Sequence, residues 1–149
     1  MTGSSPRVPF GGDALSADGQ LMTYVSAESG RLEVYVRPYP GPGPALQIST
    51  AGGDEPCWAG RGLELVFRRG EALFSVTLTS AGGRLTAGAP TPAFTGRIAA
   101  GGVRTGYDVS ADGRTIVFAK LRNPRENLSQ FTVLLNALDA IRPAAQTVR

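Results

Sequence analysis

Short runs of the chain alternate between apolar and polar residues. LEVYVR (32–37) alternates strictly and LMTYVS (21–26) loosely, while ALFSVTL (72–78) and FTVLLN (131–136) carry period-two stretches. Period two sends successive side chains to opposite faces of extended backbone, so these runs predict half-buried β-strands. Similar runs at Leu46–Ser49, Glu55–Ala59, Leu63–Arg68, Ala93–Thr95, Tyr107–Ser110 and Arg114–Lys120 extend the strand set. All are rich in Val, Ile, Tyr, Phe and Thr and are bounded by Gly, Pro, Asn or Asp. One helical candidate remains, the tail from about Ala137, which Pro143 cuts short. The prediction is an all-β protein of short antiparallel strands.

The strands fall into repeats. SADG occurs at 16–19 and again at 110–113, each time after an apolar residue and before a strand-like run. Between them WAGRGLELVFR (58–68) places Gly62 where Gly19 and Gly113 stand, with Arg61 in place of Asp, at spacings of 43 and 51 residues. A repeat near 40–45 residues is the period of propeller blades. Asp followed by Gly suits a tight turn, since Gly accepts positive φ and Asp binds nearby backbone N–H groups. Asp18, Gly19, Gly62, Asp112 and Gly113 are therefore expected to be turn residues rather than a site, with Ser16 and Ser110 adding hydroxyls.

These motifs resemble the TolB-type, WD-repeat-like bacterial β-propellers, whose repeats carry S-P-D-G before an apolar strand ending in an aromatic. Here Ser16–Gly19 leads to Tyr24 and Ser110–Gly113 to Phe118, with Ala17 and Ala111 at the family's Pro position. The order of SAESGRLEVYVRPYPGPG (26–43), QISTAGGDEPCW (47–58), YDVSADGR (107–114) and TVLLN (132–136) is similar to propellers at the C-terminal end of bacterial serine/threonine protein kinases. The resemblance spans roughly 13–138 and implies a partial β-propeller of about three blades, each a 3–4-stranded antiparallel sheet. The expected blades are 13–50, 55–96 and 105–136, between an N-terminal arm (1–12) and a tail (137–149). Closed propellers need four to eight blades. The resemblance thus implies either a piece of a longer bacterial protein, cytoplasmic or periplasmic, or a homodimer that closes the ring, with RVPF (7–10) a candidate strand for another blade.

Composition fits many turns between short strands: Gly and Pro supply 31 of 149 residues, about a fifth, beside 42% apolar residues. The core is expected from Leu21, Tyr24, Val34, Val36, Ile48, Trp58, Leu65, Phe67, Phe74, Val76, Val109, Ile116, Phe118, Val133 and Leu135. The formal charge is +3, but the 14 Arg and one Lys are scattered, without the basic stripe and interleaved aromatics of a nucleic-acid surface. The opening MTGSSPRVPFGGD lacks a signal-peptide core, and no run approaches the ~20 apolar residues of a membrane helix.

The chain contains no His, which removes Ser-His-Asp and Cys-His nucleophiles and most zinc sites. Cys57 stands alone in an apolar run and reads as a small buried hydrophobe. Carboxylate pairs such as Asp54 with Glu55, or Asp108 with Asp112, sit at a strand approach and around a turn, and complete no constellation. AGGVRTG and TAGGDEP are weak phosphate-loop look-alikes, RPYPGPGP (37–44) lacks P-x-x-P spacing, and kinase motifs are absent. No catalytic residue, metal or cofactor is expected. The expected role is a non-catalytic binding or scaffold module with a protein or peptide partner. The alternative is the accessory propeller of a prolyl-oligopeptidase-type peptidase. Arg31, Arg37, Tyr39, Arg97, Arg104 and Tyr107 are the candidate binding residues, chosen as Arg and Tyr positions expected in loops.

Overall fold

A computed structural model of the chain describes residues 13–98, 106–119 and 131–135. The RVPF strand candidate, Arg104, most of the glycine-rich loop before Tyr107 and the tail from 137 lie outside these residues. Twelve strands and no helix occupy the described chain. The first sheet runs β1 (Ala14–Leu15), β2 (Leu21–Ser26), β3 (Glu33–Pro38) and β4 (Leu46–Gln47) in spatial order, each antiparallel to the next. The second contains β5 (Asp54–Ala59), β6 (Glu64–Arg69), β7 (Ala72–Ala81), β8 (Arg84–Ala87) and β9 (Thr91–Thr95). The third is β10 (Tyr107–Val109), β11 (Thr115–Ala119) and β12 (Phe131–Leu135).

β7 is long because it serves two partners in tandem. Ala72–Ser75 pairs with β9, and Leu78–Ala81 pairs with β8 through a Gly82–Gly83 turn. The pattern in ALFSVTL reveals the first half. The second half, TSAGGRLTA, has too few apolar residues for its hairpin to be visible.

Sheet order follows chain order, and the second sheet lies between the other two. On one side Leu65, Phe67, Phe74, Val76 and Leu78 meet Val25, Val34, Val36 and Ile48 of the first sheet. On the other, Ala59, Val66 and Leu73 meet Tyr107, Ile116 and Phe118 of the third. Burial on both faces explains why β6 reads Leu65-Val66-Phe67 without alternation. Phe67 stacks on Phe74 at 5.8 Å between ring centroids, and Phe94 of β9 meets Phe118 at 4.5 Å.

Two expected core residues are not in it. Val133 and Leu135 are 51% and 73% exposed. Register is the cause: Val133 pairs with Val117 and Leu135 with Thr115, on the face opposite the inward Ile116 and Phe118. A single position of register decides the face, and FTVLLN alone does not reveal which apolar set turns inward. Leu21, Tyr24, Trp58 and Val109 are half-buried rather than fully enclosed.

The two SADG turns are superimposable in their bonding. In the first, Gly19 N–H donates to Ser16 O at 2.8 Å, Gln20 N–H to Asp18 Oδ1 at 3.0 Å and Leu21 N–H to Ser16 Oγ at 3.0 Å. In the second, Gly113 N–H donates to Ser110 O at 2.8 Å, Arg114 N–H to Asp112 Oδ1 at 3.0 Å and Thr115 N–H to Ser110 Oγ at 3.0 Å. Each serine hydroxyl also donates to the aspartate of its own turn. Gly19 and Gly113 take φ of +70° and +68°. Gly62 lies in the turn between β5 and β6, as expected, but the positive φ of that turn, +67°, falls on Gly60. With Arg61 in place of aspartate, no carboxylate gathers the N–H groups, and the turn takes another path.

Candidate functional site

A buried polar constellation forms where the second sheet meets the third. Pro56 has no N–H to give the ladder, and the β5–β6 register shifts between Asp54 and Cys57. Within that bulge Glu55 adopts φ +49°, a left-handed conformation unusual for a side chain of its size. Its carboxylate is buried, pairs with Arg68 at 3.0 Å through Oε1 and accepts the Gly106 N–H at 2.8 Å through Oε2. Arg68 also grips Asp54 with two parallel bonds of 3.1 and 3.0 Å, so one guanidinium serves two carboxylates. Burial outweighs Arg68 at Asp54 and holds its carboxyl above the usual 3.8, with the neighbouring Glu55 adding to the rise.

Tyr107 completes the cluster. Its hydroxyl lies 2.5 Å from Glu55 O and 2.9 Å from Val66 O, so its single O–H is held between a carbonyl of the bulge and one of β6. The expectation of a loop-borne binding tyrosine is corrected here: Tyr107 belongs to β10, is 5% exposed, and has its phenol pushed well above the ordinary range by burial. Cys57 is half-buried against the same cluster, and burial, then the charge of Asp108, raises its thiol. A raised thiol carries little thiolate at neutral pH and is a poor nucleophile.

The other candidate residues divide between the two ends of the sheets. Arg37 and Tyr39 lie at the Asp18 end, where Tyr39 N–H donates to Gln20 O at 2.8 Å and the Tyr39 side chain is 46% exposed. Arg31 lies at the opposite end of the first sheet, in the β2–β3 connection. It donates to Glu33 Oε1 at 2.8 Å and to Thr50 O at 2.7 Å. Glu33 is 1% exposed and also accepts the Gly52 N–H and the Ser49 hydroxyl, so Arg31 closes a buried carboxylate's shell. Arg97 sits beside the β6–β7 turn in an exposed 3.2 Å pair with Glu71. No single patch unites the four.

Sequence reasoning treated Asp54 and Glu55 as a strand approach and passed over Arg68. The readable signal was Glu55-Pro56 inside an apolar strand, which marks a bulge. Among the described residues no three His, Cys, Asp or Glu side chains gather as a metal set. No helix is long and apolar enough to cross a membrane, among the described residues. No family model matches the chain, and no curated protein matches it.

Proposed function

We propose that the chain is a run of about three β-propeller blades acting as a non-catalytic binding or scaffold module, of the kind its repeats resemble in kinase-linked bacterial propellers. The supporting observation is the serial stacking of the sheets with their first strands side by side. β5 packs against both β1 and β10. Trp58 Nε1–H reaches Ala14 O at 3.2 Å, and the turn at Gly60 abuts the turn at Gly113. First strands brought side by side in successive sheets are what blades arranged around an axis require. In this reading the Glu55 cluster joins blades, and partners meet the connections between strands, where Tyr39 and Arg97 are exposed.

A photoreactive phenylalanine analogue placed at Tyr39 or at Arg97, with Thr79 in the β7–β8 hairpin as reference, tests this in bacterial cells. The expected result is a discrete adduct from Tyr39 or Arg97 and none from Thr79. An adduct of twice the chain's mass would identify the partner as a second copy. Absence of adducts at both positions, or the same adducts from Thr79, would overturn the reading.

A further inference from the structure

We infer that the third sheet is a separable unit of the fold, latched to the second sheet by the Glu55 bulge. The inference stands on packing and hydrogen bonds and does not depend on the propeller reading.

The attachment is one-sided. The third sheet turns Tyr107, Ile116 and Phe118 inward, while Val117 and Val133, on its other face, are 37% and 51% exposed. The second sheet, by contrast, is buried against neighbours on both faces. A sheet that buries one face against a small cluster opens at lower free energy than the core that supports it.

Polar contacts reinforce this interface around the Glu55 bulge. Glu55 Oε2 takes the Gly106 N–H at 2.8 Å, just before β10 begins, and Tyr107 places its hydroxyl on Glu55 O and Val66 O. Arg68 holds the Glu55 carboxylate from the other side at 3.0 Å. The left-handed backbone of Glu55 turns both its carbonyl and its carboxylate toward the third sheet, a strained arrangement that these contacts hold in place. When the latch opens, Cys57, Ala59, Val66 and Leu73 lose their cover.

The chain carries its own reporters. Adjacent residues of β5 face opposite ways: Cys57 packs with the cluster shared with the third sheet, and Trp58 with the cluster shared with the first. Cys57 is the sole cysteine and Trp58 the sole tryptophan. Labelling of Cys57 by a neutral thiol reagent and fluorescence of Trp58 are measured together across a urea series. Cys57 is expected to label rapidly at urea concentrations that leave Trp58 fluorescence native. Glu55→Gln and Tyr107→Phe are expected to speed labelling in buffer roughly tenfold or more, with native Trp58 fluorescence, because each strands buried polar groups. If labelling follows the Trp58 transition, or both variants label at the wild-type rate, the inference fails. Should a variant not fold, the wild-type urea series alone decides.

Discussion

At the scale of single residues, the chain uses carboxylates in two opposite ways. Asp18 and Asp112 are exposed and held below the usual 3.8, first by the neighbouring serine hydroxyl and then by a backbone N–H. A depressed folded value means the ionised form supports the fold. That support is full above the unfolded value near 3.8 and is lost as pH falls through the lower folded value. Asp54 works the other way: its raised carboxyl makes the charged form a cost, which protonation relieves. The Asp18→Asn, Asp112→Asn double variant leaves Asp54 in place and removes only the first contribution. The expected outcome is a smaller loss of urea midpoint than wild type between about pH 5 and about pH 2. Equal losses in the two proteins would count against the turn assignment.

The same scale shows what alternation does and does not convey. Glu33 occupies a polar position of LEVYVR, yet it is 1% exposed, because Ser49, Gly52 and Arg31 supply its hydrogen bonds from elsewhere in the chain. Tyr107 shows the reverse error, an assumed surface anchor whose hydroxyl belongs to buried carbonyls 52 and 41 residues away. Partners that distant leave no trace in local pattern.

At the scale of elements, strand positions were legible to within a residue or two for most of the twelve, since apolar runs bounded by Gly and Pro are strong local signals. Strands with little apolar content were not: two-residue β1 and the β8 hairpin depend on pairing rather than pattern. The SADG turns were readable because their bonding is contained within six residues. The middle turn holds Gly62 as its position predicts, but the left-handed residue of that turn is Gly60. The difference is measurable. An alanine Cβ at Gly60 would lie 3.2 Å from Gly113 N and 3.3 Å from Asp112 C, at a φ of +67°. At Gly62 it would meet nothing within 4 Å. Gly60→Ala is expected to cost about 1–2 kcal/mol from the left-handed backbone alone, and more if the third sheet's turn must shift. Gly62→Ala is expected to change stability by less than about 1 kcal/mol in either direction. Urea denaturation of both variants gives the comparison, and equal costs would contradict Gly60 as the position that requires the left-handed backbone.

At the scale of the whole molecule, the account is a serial stack in which the second sheet is shared and the third is attached through one face. The repeat spacing anticipated separate sheets in chain order. Which faces meet was beyond it, because a repeat gives the elements and not the register that turns Val133 outward and Val66 inward. The candidate binding residues share no sequence pattern. They were chosen by type and presumed loop position, and the fold distributes the described ones between two ends and a buried strand.

Native-state hydrogen exchange resolved to individual strands tests the stack most directly. The account predicts the slowest exchange in β6 and in the half of β7 that pairs with it, and earlier exchange throughout β10 and β11. If β11 amides exchange as slowly as those of β6, with one common opening for all three sheets, the second sheet is not the shared centre and the account is wrong.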